Sequence, residues 1–162
     1  MNIINIMREN NMLGWSTLRY GFIKYWITSK DVINFAVKQL TNSEGNDYNL
    51  SLLASSENDS TDSILKMIDQ YIESKKILID ENLDYKKWLL ATLLNIQNLD
   101  MSEQEKINEL QRVYADFNYP VEMKKCSIYY YEDHKKKGQK KIHIDPLEEM
   151  KKVINILSNE IF

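Results

Sequence analysis

The stretch from residue 83 to residue 120 constrains the fold of this chain more than any other part of the sequence. It reads as two helices joined by a short turn, and the first of these helices is apolar on almost every side. A helix of this kind is stable only when other segments cover several of its faces. We therefore predict a central helix with Trp88 as its anchor, surrounded by shorter amphipathic helices. The buried stripe at helical spacing consists of Tyr85, Trp88, Leu89, Thr92, Leu93 and Ile96.

The second helix of this pair carries both a start signal and a stop signal. Ser102 is followed three residues later by Glu105, which is the spacing of a reciprocal capping box. Pro120 marks the end, because the residue before a proline is pushed out of helical geometry. The inward face is predicted to contain Ile107, Leu110, Val113, Tyr114 and Phe117.

Further helices are predicted at about residues 16–25, 28–40, 48–56, 62–73 and 145–161, from apolar spacing and capping residues. Residues 1–12 are predicted to be a frayed leading segment. Residues 127–131 and 142–144 have strand-like composition and flank a flexible Lys-rich loop at 132–141, so a small β-hairpin near 127–144 is an open alternative. The predicted fold class is mainly α: a compact multi-helix bundle of antiparallel helix pairs, in one domain spanning residues 1–162.

Composition and charge exclude several classes of protein. Only four glycines and two prolines occur in 162 residues, too few for a many-stranded sandwich or barrel. Residues 1–120 carry 12 Lys and Arg against 17 Asp and Glu, and residues 121–162 carry 9 against 7. Neither net charge is large enough to indicate a nucleic-acid-binding protein. No apolar run reaches the roughly 20 residues of a membrane-spanning helix, and the N-terminus lacks the features of a signal peptide.

The residues most often used in catalysis and metal binding do not form a recognisable site. His134 and His143 lie nine positions apart across a loop, whereas a metal site needs ligands at fixed spacing. Cys126 is the only cysteine, which excludes an internal disulfide and favours a reducing cytoplasm. Its neighbours Lys124 and Lys125 would lower a thiol pKa, but no positioned base accompanies them. We therefore predict no catalytic residue, no metal and no cofactor.

Two regions contain candidate contacts for a ligand or a partner. In the first, Asp116 and Tyr119 precede Pro120, and Asp116 is predicted to accept hydrogen bonds from free backbone N–H groups of the turn, with a ligand contact as the alternative. In the second, five lysines in 135–141 follow three tyrosines, an arrangement that suits a solvated loop, an acidic protein partner or nucleic acid. The candidate contacts in this region are Tyr130, Lys136 and Lys137.

Carboxylates also crowd the start of the central helix. Asp80, Glu81 and Asp84 could hold a cation or perform acid–base chemistry. Negative charge at a helix N-terminus is favourable without any ligand, and we interpret the cluster in that way.

Several segments together are similar to a known family. GWSTLRYGF, ITSKDVINFAVKQL, KKWLLATLL and RVYADFNYPVEM resemble an uncharacterised bacterial family, domain of unknown function 2247. The resemblance covers roughly Leu13 to Met123, and its most specific part is Val113–Pro120. It implies an all-helical fold and a bacterial cytoplasmic protein, and it implies no particular activity.

Three hypotheses about function follow. The first is a non-catalytic cytoplasmic module that binds another protein, in one form an immunity protein that neutralises a cognate toxin. The alternative is a small-ligand binder or enzyme with a site assembled around Asp116 and Tyr119. The third is weak nucleic-acid binding through Lys135–Lys141. No membrane association is predicted, and the oligomeric state is left open.

Overall fold

The computed structural model describes residues 3–42, 47–130 and 144–162, and all regular structure within these ranges is helical. The mainly α fold class is therefore confirmed. The elements are α1 (Ile3–Glu9), α2 (Trp15–Ile23), α3 (Ser29–Asn42), α4 (Tyr48–Ala54), α5 (Thr61–Ser74), α6 (Glu81–Asn98), α7 (Glu103–Asp116), the 3₁₀-helix η1 (Val121–Cys126) and α8 (Pro146–Ile161).

The helices group into two compact units. Unit I is Asn11–Tyr85, and unit II is Met1–Asn10 together with Lys86–Phe162. In unit I, α3 packs on α4, α4 on α5, and α2 on both α3 and α5. In unit II, α8 packs on η1 and α7, and η1 packs on α7. A single domain can contain two such units, so the one-domain organisation stays a prediction.

The predicted apolar helix around Trp88 is present as α6, the longest helix in the described residues. The Trp88 side chain is only 1% exposed. Residues of every face in the middle of α6 are buried with it, which explains why its apolar pattern extends round the cylinder. The other buried apolar side chains of α6 are Leu89, Leu90, Ala91, Leu93 and Ile96.

Capping residues start the helices where the sequence indicates. At α7, the Ser102 hydroxyl accepts from the Glu105 N–H at 3.3 Å, and the Glu105 carboxylate accepts from the Ser102 N–H at 2.9 Å. At α8, the Asp145 carboxylate accepts from the Leu147 N–H at 2.9 Å, and Pro146 occupies the first turn. These side chains accept hydrogen bonds from N–H groups at the helix start that have no partner inside the helix.

Two sequence-based expectations about irregular segments are corrected. Residues 3–9 form α1 instead of a frayed segment, because Ile4, Ile6 and Met7 are buried and hold the helix in place. The strand expected at Ser127–Tyr131 is absent from its described part, since residues 127–129 form a bend and a turn and Tyr130 is not in a strand. The rest of the proposed hairpin and the Lys-rich loop lie outside the described residues.

Three helices in the described residues end in a Schellman motif whose left-handed residue is not glycine. Tyr25 after α2, Lys76 after α5 and Asn118 after α7 have φ of 58°, 52° and 59°. In each case the next residue donates its N–H to a carbonyl five residues back, which is the hydrogen bond of a Schellman motif. The motif satisfies the last carbonyls of the helix, although an L side chain in this conformation costs about 1–2 kcal/mol.

The left-handed conformation of Lys76 predicts that glycine has opposite effects on stability at two exposed lysines, Lys76 and Lys66. Lys76→Gly is expected to raise the free energy of unfolding by about 0.5–1 kcal/mol, because glycine adopts a left-handed φ without steric cost. Lys66→Gly, in the interior of α5, is expected to lower it by about 1 kcal/mol. Urea denaturation followed by circular dichroism measures both changes. A loss of stability at Lys76 comparable to that at Lys66 would contradict the left-handed cap.

Candidate partner-binding surface

The segment from Tyr119 to Tyr130 begins at the Schellman cap of α7. The Asn118 N–H donates to the Ala115 carbonyl at 2.9 Å, and the Tyr119 N–H donates to the Tyr114 carbonyl at 2.8 Å. The rings of Tyr114 and Tyr119 meet edge to face with centroids 5.2 Å apart. This is the hydrophobic contact that commonly accompanies the motif, and it attaches the start of the segment to α7.

The far end of η1 is attached to α7 by one glutamine. The Gln111 amide nitrogen donates to the Cys126 carbonyl at 3.0 Å, and its amide oxygen accepts from the Ile128 N–H at 3.1 Å. Gln111 and Tyr114 are three residues apart and therefore share one face of α7. The two ends of the segment are consequently anchored about one helical turn apart, as in the compact surface loops that frequently carry function.

The inner side of this segment is a small apolar core. The side chains of Met123 and Cys126 are fully buried, and η1 packs on α7 and α8. Burial raises the pKa of the Cys126 thiol to about 12, and the negative charge of Glu149 contributes in the same direction. The thiol is therefore kept protonated, so Cys126 acts as a small core residue and Lys124 and Lys125 do not activate it.

A thiol-labelling experiment checks this description of Cys126. At pH 8 the folded protein is expected to react with a disulfide reagent roughly a hundredfold or more slowly than the denatured protein, because only the thiolate attacks and the side chain is buried. The release of the coloured thiolate measures the rate, and the signal is unambiguous because the chain has one cysteine. Equal rates in the folded and denatured protein would show that the thiol is accessible.

The outer side of the segment exposes apolar and aromatic groups. Val121 is 84% exposed, Tyr129 is 81% exposed and Tyr119 is 62% exposed, with Ile128 at 39%. We call these four residues the η1 surface. Lys124 lies beside it with its Nζ 5.8 Å from the ring centroid of Tyr130, a cation–π distance.

The structure places three of the five candidate contacts in this region. Asp116 is exposed at the end of α7, Tyr119 belongs to the η1 surface, and Tyr130 lies under the Lys124 ammonium. Lys136 and Lys137 lie outside the described residues. The expectation that Asp116 binds the N–H groups of the turn is corrected, because backbone carbonyls of α7 accept from Phe117, Asn118 and Tyr119.

A buried polar cluster in unit I is the feature that sequence reasoning missed. Asp84 is 2% exposed, and its carboxylate accepts hydrogen bonds from the hydroxyls of Ser16 and Thr17, the latter at 2.6 Å. Burial raises the pKa of the neighbouring Tyr20, with smaller contributions from the charges of Glu81 and Asp84. The first turn of α2 contains both hydroxyls, and Gly14, its N-cap residue, has no side chain to cap the helix.

The acidic residues of this cluster have structural roles. Asp80 caps α6 by accepting from the Leu83 N–H at 3.0 Å, which agrees with the helix-start interpretation of the acidic residues. Asp84 instead supports α2, where the positive end of the helix dipole favours its negative charge. Within residues 3–42, 47–130 and 144–162, no group of three His, Cys, Asp or Glu side chains is arranged to hold a metal ion.

Packed helices and an exposed loop surface define a mainly helical protein, and its candidate site is a surface. The chain belongs to domain of unknown function 2247, a family described as an uncharacterised protein conserved in bacteria, which matches residues 4–157. This establishes the family inferred from the sequence motifs. No curated protein and no solved structure matches the chain. None of the helices in the described ranges combines the length and apolar character needed to cross a bilayer.

Proposed function

We propose that this protein is a non-catalytic cytoplasmic module that binds another protein through the η1 surface. The observation that supports the proposal is the anchoring of the Tyr119–Tyr130 segment at both ends, which presents Val121 and Tyr129 to solvent. A surface already held in place loses little conformational entropy on binding. Exposed tyrosine is also among the residues enriched at protein interfaces.

The charge of the sequence from residue 121 to residue 143 indicates the chemistry of the partner. Residues 121–143 contain seven lysines and three acidic residues. Lys124 is exposed next to the apolar side chains, so a partner that presents an apolar or aromatic group flanked by carboxylates is complementary in charge. Nucleic acid is the less suitable partner, since this part of the chain has no arginine for bidentate phosphate contacts.

Matched surface substitutions test the proposal on a defined complex. The probe is the product of the neighbouring gene, co-expressed with the tagged protein, purified with it and titrated by calorimetry. Val121→Asp and Tyr129→Ala are each expected to weaken the complex by about tenfold or more, as at other central interface residues. Both side chains are exposed, so the variants are expected to fold normally, as circular dichroism can show.

The controls use equally exposed residues of unit I. Leu78 is 86% exposed and Tyr48 is 75% exposed, so Leu78→Asp and Tyr48→Ala match the two test substitutions. We expect both control variants to bind as the natural protein does. Absence of any complex, or equal loss in the test and control variants, would contradict binding through the η1 surface.

The more specific form of the proposal is an immunity protein that neutralises a toxin. Supporting features are membership of a bacterial family and the net negative charge of unit I, which has 7 Lys and Arg against 11 Asp and Glu. If the neighbouring gene encodes a toxin, co-expression is expected to restore growth to cells that produce it. A complex without rescue would retain the binding module and contradict the immunity role.

A further inference from the structure

Unit I contains a cleft with a chemical character different from that of the η1 surface. Its volume is about 430 Å³, and it lies between the first two turns of α3 and the connection from α4 to α5. The lining residues are Ser29, Lys30, Ile33, Asn34 and Glu57. Small-molecule sites typically have volumes of about 300–1,000 Å³, so this cleft has room for a ligand of dipeptide size.

The polar side chains of the cleft are not used by the fold. Among the described residues, Ser29, Lys30, Asn34 and Glu57 make no side-chain hydrogen bond, and neither charged group forms an ion pair. Ile33 is buried and provides an apolar wall. The cleft therefore combines one uncommitted cation, one uncommitted carboxylate and one apolar contact.

We infer that this cleft binds a small zwitterion, an amino acid or dipeptide with an aliphatic side chain. The ligand carboxylate would pair with Lys30, its ammonium group with Glu57, and its aliphatic group would contact Ile33. Lys30 and Glu57 are both exposed, so a ligand with one charge would pair with only one of them and is expected to bind more weakly than a zwitterion. The inference uses residues of unit I only and does not depend on the proposed protein partner.

The test uses glycyl-leucine as the probe and backbone amide NMR as the readout. Saturable shifts are expected around Lys30, Ile33 and Glu57. N-acetylglycyl-leucine lacks the ammonium group and glycyl-leucinamide lacks the carboxylate, and each is expected to bind about tenfold more weakly, the usual scale of a charge-assisted hydrogen bond. No saturable shift with glycyl-leucine, or equal binding of the blocked forms, would overturn the inference.

Protein variants assign each ligand charge to its partner. Lys30→Met is expected to weaken the binding of glycyl-leucine about tenfold. It is not expected to weaken the binding of glycyl-leucinamide further, because that ligand has no carboxylate to pair with Lys30. Glu57→Gln is expected to act in the same way on the N-acetylated form. Lys38→Met on α3 and Glu73→Gln on α5 are exposed controls that remove a charge outside the cleft. Equal effects of test and control variants would overturn the assignment.

Discussion

Replacing Asp84 with alanine is expected to lower the free energy of unfolding by about 3 kcal/mol, because it removes a buried charged acceptor from two hydroxyl donors. The Asp84 carboxylate is 2% exposed and accepts from Ser16 and Thr17 on α2, 68 and 67 residues away in sequence. The loss in the free energy of unfolding is large because the site is buried, and water cannot readily replace the missing acceptor of the two hydroxyl groups. Chemical denaturation of the variant measures the change.

Asp80 provides a matched control, because it lies four residues before Asp84 at the start of α6. Its carboxylate is exposed and caps α6, so Asp80→Ala is expected to cost only about 1 kcal/mol, the usual value for a lost N-cap. The difference between the two alanine variants measures what burial and the contacts with α2 add. Equal losses would show that Asp84 acts only as a helix-start charge, as the sequence pattern suggested.

Local signals explain why the helices could be predicted. The capping box of Ser102 and Glu105 and the Asp145–Pro146 start of α8 depend on residues within four positions of one another. The apolar pattern around Trp88 is likewise a property of one segment. Such features are determined by backbone geometry and periodicity, so they do not require knowledge of the rest of the fold.

The role of Asp84 could not be predicted, because its partners are distant in sequence. On α6 alone it is one of three carboxylates near a helix start, and a solvated charge accounts for all three. Burial distinguishes it from Asp80 and Glu81, and burial depends on how α2 packs. A weak signal was present in the sequence at the start of α2. Gly14 cannot cap the helix with a side chain, and two hydroxyl residues, Ser16 and Thr17, lie in the first turn.

The candidate surface was only partly predictable for a related reason. The YADFNYP segment was identified as distinctive. The last carbonyls of α7, however, accept hydrogen bonds from the N–H groups of Phe117, Asn118 and Tyr119, so those N–H groups do not need Asp116. Asn before a tyrosine and a proline was an available signal for a left-handed cap. The exposure of Val121 and Tyr129 was not predictable, since the Gln111 contacts that hold one end of the segment join residues 15 and 17 positions apart in sequence.

Replacing Trp88 with alanine is expected to lower the free energy of unfolding by about 3–5 kcal/mol, the range for truncating a fully packed aromatic side chain. Trp26→Ala is the matched control, because Trp26 is only half-buried and its described ring contact is with Tyr20 at 5.8 Å. We expect a loss of about 1 kcal/mol there, near the average for single substitutions. Equal losses at the two tryptophans would contradict the position of Trp88 in a packed core.

Hydrogen exchange in the Trp88→Ala variant extends this prediction to the organisation of the whole chain. Trp88 belongs to unit II, but the helix that contains it begins in unit I, so α6 is one continuous hydrogen-bonded element of both units. If the chain unfolds as one domain, slow amides in unit I are expected to lose the same protection free energy as those in unit II. Loss confined to unit II would show two independently unfolding units, and the one-domain prediction would be wrong.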